Sequence, residues 1–142
     1  MMIYLKLEQE VEKFLSSALK KEQRDPDLEK IISKFPSYSV VYAKKVINGR
    51  FPLAEEIIAT SPYYVCAYLS ELELKSIPEN IHRIMLSNAM KEETLDVDKN
   101  YWIKEYFKFC DYLENKGTKP WWLSKTGLNW NYGKDSLNWN LK

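Results

Sequence analysis

Residues 25–50 read DPDLEKIISKFPSYSVVYAKKVINGR, and residues 51–76 read FPLAEEIIATSPYYVCAYLSELELKS. Set one above the other, they align without a gap. Pro26 falls over Pro52, Glu29 over Glu55, Ile31 over Ile57, Ile32 over Ile58, Pro36 over Pro62, Tyr38 over Tyr64 and Tyr42 over Tyr68. A third unit opens at Ile77 with IPENIHRIMLSNAMKEE, matches at Pro78 and Ile84, and then loses register. Self-similarity at a fixed step of 26 residues is the signature of a stacked repeat.

The physical reading of one unit follows from its prolines. Proline is tolerated at the first helical position, where its missing N–H would have no partner in any case. Each proline therefore announces a helix, and Asp25 and Ser61 stand as capping residues just before two of them. The first helix of a unit is short and carries Leu28, Ile31 and Ile32 or their counterparts. The second is longer, and in the second unit Val65, Tyr68, Leu69 and Leu72 form one apolar stripe. Asn48-Gly49 ends the longer helix of the first unit, with Gly49 expected in the left-handed conformation. Two helices in so few residues make an αα-hairpin, and stacked hairpins make a short α-solenoid.

A stack needs ends. Residues 7–23 place Leu7, Val11, Phe14, Leu15, Ala18 and Leu19 on one face, which predicts an N-terminal capping helix. Residues 99–116 predict a terminal helix with Ile103, Tyr106, Phe107, Cys110 and Leu113 inward and Gly117 at its end. The fold class expected is all-α, with a helical-repeat domain over 1–117 and a tail over 118–142.

Composition closes off several chemistries. The chain has 142 residues, 21 basic against 20 acidic side chains, one histidine, two cysteines and four glycines. His82 has no second histidine for a triad or a zinc site, and no glycine-rich phosphate loop is present. Cys66 and Cys110 sit among apolar residues and read as buried thiols of a reducing compartment. Asp96-x-Asp98-x-Asn100 imitates the opening of a calcium loop, but Tyr101 and Phe107 stand where the loop needs glycine and glutamate. Glu55 and Glu56 read as first-turn or surface acids. No metal, no cofactor and no catalytic residue is expected. The opening MMIYLKLEQE lacks the features of a signal peptide, no apolar run would span a membrane, and a cytoplasmic protein is expected.

The stretch YAKKVINGRFPLAEEII, followed by SPYY and AY, resembles a short tandem repeat found in many uncharacterised proteins of tailed phages. The match covers roughly residues 26–86 and is best at 36–58; the second unit departs from it where Gly49-Arg50 becomes Lys75-Ser76. The resemblance implies an all-helical fold, a phage or prophage origin and a bacterial host cytoplasm. It implies no catalytic residue.

Charge is uneven along the chain. Residues 61–114 carry six basic and ten acidic groups, whereas residues 115–142 carry five lysines against Asp135 alone. That tail holds Trp121, Trp122, Trp130 and Trp139, and repeats Leu-Asn-Trp-Asn at Leu128 and Leu137. It reads either as a small β-hairpin about Gly133-Lys134-Asp135 or as an irregular strap pinned by its rings. Tyr42 and Tyr68 are expected in the core with their hydroxyls at its edge. Tyr38, Tyr63 and Tyr64, near helix starts, are expected to be exposed.

Two functions fit these features. The first is a non-enzymatic protein–protein interaction factor that binds and modulates a host or phage protein, including a defence protein. Its contact residues would be Tyr38, Tyr63, Tyr64, Glu92, Glu93, Asp96, Trp121, Trp122, Trp130 and Trp139. The second is a single-stranded nucleic-acid binder that uses the lysines and tryptophans of the tail for phosphates and base stacking. Self-association is open under either.

Overall fold

The computed structural model describes residues 2–21, 23–90 and 97–124, and every regular element among them is helical. They are α1 (Met2–Lys21), α2 (Pro26–Ile32), α3 (Pro36–Tyr42), which continues as a π-helical turn (Ala43–Ile47), α4 (Pro52–Ile58), α5 (Pro62–Glu71), α6 (Glu79–Ala89) and α7 (Val97–Leu113). A 3₁₀ turn, Trp121–Ser124, follows. The expected tail strap or hairpin falls mostly on residues 125–142, outside the described residues, as do Glu92, Glu93 and Asp96.

Proline opens α2, α3, α4 and α5, as the repeat predicts. Asp25 caps α2, its carboxylate accepting from the N–H groups of Asp27 (3.1 Å) and Leu28 (3.2 Å). Three expectations about helix ends are corrected. Ser61 makes no side-chain cap. Pro78 is the residue before α6 rather than its first, because its extended ψ of 134° keeps it out of the helix. Asn48, not Gly49, takes the left-handed conformation (φ 58°), and Asn115 (φ 60°) rather than Gly117 does so after α7. Asparagine tolerates this region because its short polar side chain hydrogen-bonds locally.

The π-helical turn accommodates one extra residue. In the first hairpin the left-handed residue, Asn48, lies twelve positions after Pro36; in the second, Glu73 (φ 52°) lies eleven after Pro62. The widened turn lets the first helix absorb that residue while Tyr42 stays in register with Tyr68.

The helices contact one another in two rows. Helices α1, α3, α5 and α7 pack in succession, as do α2, α4 and α6. Between the rows lies a continuous core that includes Leu15, Ile32, Val40, Tyr42, Ile58, Tyr68, Leu69, Met85 and Phe109. α1 covers one end with Val11, Leu15, Ala18 and Leu19, but Phe14, expected inward, is 52% exposed. On α7 the fully buried side chains are Glu105, Tyr106 and Phe109, while Ile103, Phe107, Cys110 and Leu113 are only half-buried. The helix thus turns a face one residue away from the one predicted, which lets Glu105 and Phe109 meet Trp122.

Each hairpin is closed by the same clasp. Arg24 grips Glu29 through Nε (2.9 Å) and Nη2 (2.8 Å), and Tyr42 donates to the same carboxylate at 2.8 Å. One repeat on, Arg50 grips Glu55 at 2.8 and 2.7 Å, and Tyr68 donates at 2.7 Å. Each tyrosine oxygen also accepts a backbone N–H just ahead of the short helix, from Asp25 (2.9 Å) and from Phe51 (2.7 Å). Glu55 is fully buried, so its reading as a first-turn or surface acid is corrected; Glu56 is exposed. A buried carboxylate persists here because a bidentate guanidinium and a phenol satisfy it. The third unit has Ser76 and Ile81 at the arginine and glutamate positions, and carries no such clasp.

Candidate interaction surface

Four rings meet where α5, α7 and the 3₁₀ turn come together. Trp102 lies at the centre, with Tyr63 at 5.1 Å and 80°, Tyr101 at 5.2 Å and 87°, and Trp121 at 6.2 Å and 47°. Tyr64 extends the row through Tyr63, at 5.0 Å and 77°. Near-perpendicular pairs of this kind place the positive edge of one ring on the negative face of the next. Trp121 Nε1 donates to the Tyr101 hydroxyl at 3.0 Å, and both residues remain exposed, at 52% and 42%.

A groove of about 700 Å³ runs beside this cluster. One wall is the turn into α5, with Thr60, Ser61 and Tyr63; the other is the start of α7, with Asp98, Lys99 and Trp102. The walls face each other because α5 and α7 pack along their length and both begin at the same end.

The structure brings together three of the expected contact residues, Tyr63, Tyr64 and Trp121, on this face. It removes two others from it. Tyr38 is buried, and its hydroxyl donates to Glu12 at 2.6 Å, because α1 covers the start of α3. Trp122 is fully buried: its Nε1 donates to Glu105 at 3.2 Å, its backbone oxygen accepts from Ser70 Oγ at 3.2 Å, and its ring lies 5.6 Å from Phe109. Adjacent tryptophans therefore have opposite roles, one anchoring the segment after α7 and one exposed. Glu92, Glu93, Asp96, Trp130 and Trp139 lie outside the described residues.

Tyr101 and Trp102 were missed as contact residues. The reading of α7 by its apolar stripe assigned Trp102 to packing, and the pair of neighbouring rings at a helix start was the available signal. His82, for which no partner could be named from sequence, is half-buried and hydrogen-bonded through Nδ1 to the Tyr106 hydroxyl at 2.6 Å.

Catalytic chemistry has little to draw on among the described residues. No group of three or more His, Cys, Asp or Glu side chains there could hold a metal. Burial raises the Cys66 thiol well above its ordinary value and pushes Cys110 up to about 11, so both are protonated near neutral pH. Burial likewise pushes Tyr42 up to about 12 and Tyr68 higher still, leaving both phenols as donors to their carboxylates. No described helix is long and apolar enough to cross a membrane.

Comparison of the chain with protein-family models, with curated proteins and with solved structures returned no match. The class the coordinates define is accordingly one of architecture: a helical protein with two clasped, proline-led hairpins and an aromatic face at one end.

Proposed function

We propose that this chain is a non-enzymatic protein-binding factor, built as a short α-solenoid and contacting its partner through the aromatic face around Trp102. The observation that carries this reading is the exposure of Trp121 and Tyr101 beside Trp102 and an open groove. Tyrosine and tryptophan supply large contact area at low conformational cost and dominate interaction hot spots. Phe51, Tyr42 and Tyr68 fill the core, so the rings around Trp102 are more than the packing of the hairpins requires. The solenoid reading is supported by the two rows of helices and the repeated clasp. The likeness of residues 36–58 to a phage repeat directs the search to a bacterial host protein, including a defence protein, acted on in the cytoplasm.

The test is capture from nuclease-treated bacterial lysate with the full chain as bait, alongside a Tyr63→Ala/Trp121→Ala double variant of unchanged helicity. One protein retained stoichiometrically by the wild type and lost by the variant supports the reading. A bait that retains nothing, or binds only when nuclease is withheld, overturns it and favours nucleic acid.

A further inference from the structure

The groove beside Trp102 combines two features that select the charge of what enters it. Tyr63 and Trp102 stand nearly perpendicular in its lining, and aromatic faces carry a negative quadrupole that attracts cations. The Asp98 carboxylate lies on the rim, one turn from Trp102. The stretch that forms the groove, residues 61–114, is also the acidic part of the chain, with ten acids against six bases. From these we infer that the groove receives a basic peptide segment of the partner, with an arginine side chain laid against the rings around Trp102 and directed toward Asp98.

Arginine suits this corner better than lysine. Its guanidinium is planar, stacks on an aromatic face and sheds water more readily than an ammonium group. The peptide strand beyond it would run along the hydroxyl-bearing wall at Thr60 and Ser61. Lys99 lies in the same lining and opposes a cation, which gives the inference a sign that can be measured.

The inference rests on the protein-binding reading above and can fail separately from it. Calorimetric titration of the full chain with hexa-arginine, hexalysine and hexaglutamate peptides tests it directly. The expected result is saturable one-site binding of hexa-arginine, several-fold weaker binding of hexalysine and none of hexaglutamate. Asp98→Asn should weaken hexa-arginine binding roughly threefold and Lys99→Ala should strengthen it about twofold, the scale of exposed charge pairs. Trp121→Ala and Tyr63→Ala should each weaken it about fivefold, within the range of cation–π contacts. Absent binding, a preference for hexaglutamate, or an affinity indifferent to all four substitutions overturns the inference. If any of these occurs while the Tyr63→Ala/Trp121→Ala variant still loses its captured protein, the interaction reading stands and only the basic-peptide assignment falls.

Discussion

The Tyr68 hydroxyl donates to Glu55 Oε2 at 2.7 Å, reaching thirteen residues back along the chain from the long helix of its hairpin to the short one. The same oxygen accepts the Phe51 N–H at 2.7 Å. A single phenol thus joins both helices of the hairpin and the strand of chain that enters it. Tyr42 repeats the arrangement with Glu29 and Asp25. The second copy is more deeply buried than the first, and that difference ranks the consequences of breaking each.

Removing the carboxylate leaves a phenol and a guanidinium without their acceptor. Glu55→Ala is expected to cost about 3 kcal/mol, the scale of a broken buried pair, and Glu29→Ala about 1–2 kcal/mol. Urea denaturation midpoints measure both. Equal costs would show that burial of the second clasp adds nothing.

The clasps also set a pH dependence. Glu29 is held below its ordinary value chiefly by the Arg24 hydrogen bond, against burial, with Tyr42 assisting. Burial pushes Glu55 up, but the hydrogen bonds from Arg50 and Tyr68 outweigh it and the group also ends below its ordinary value. A carboxyl lowered in the folded state contributes stability that is complete above its unfolded value, about 4.3, and is lost as pH falls through the folded value. Stability is therefore expected to be level from about pH 7 to 5 and to decline below about 4.5. Denaturation midpoints across pH 3–7 check this, and Glu29→Gln/Glu55→Gln should flatten the acid limb.

Glu73 holds a left-handed backbone (φ 52°) with no glycine to relieve it. A non-glycine residue there carries about 1–2 kcal/mol of strain, partly offset in a glycine variant by chain entropy. Glu73→Gly should thus raise stability by about 0.5–1 kcal/mol, while Asn48→Gly should change it little. Thermal unfolding of the two variants tests the contrast.

The adjacent tryptophans separate stability from binding. Trp122→Ala should cost about 3–5 kcal/mol, as a fully buried ring with a satisfied N–H. Trp121→Ala should cost less than about 1 kcal/mol, since half its surface already meets water. A circular dichroism melt of each variant reads the difference directly.

The repeat, its helices and their proline starts were legible in the sequence because they depend on neighbours in the chain. A proline fixes its own φ, and an apolar stripe repeats every three or four residues. Even the clasp was half visible, in the matched pairs Glu29/Glu55 and Tyr42/Tyr68. Its meaning was not, since an acid in the first turn of a helix looks the same whether it faces water or a tyrosine thirteen residues on. The aromatic face was legible as Tyr63, Tyr64 and Trp121 but lacked its centre, Trp102, which a stripe reading assigns to the core.

Sequence alone determined that this chain forms proline-led helical hairpins at a step of 26 residues, since that information is local and periodic. Only the tertiary structure decided that Glu55 is buried, that Tyr38 faces α1, and that Trp121 and Trp122 part company. Those outcomes depend on which helix lies opposite each side chain, and packing between elements far apart in the chain sets that rather than any property of the residue itself.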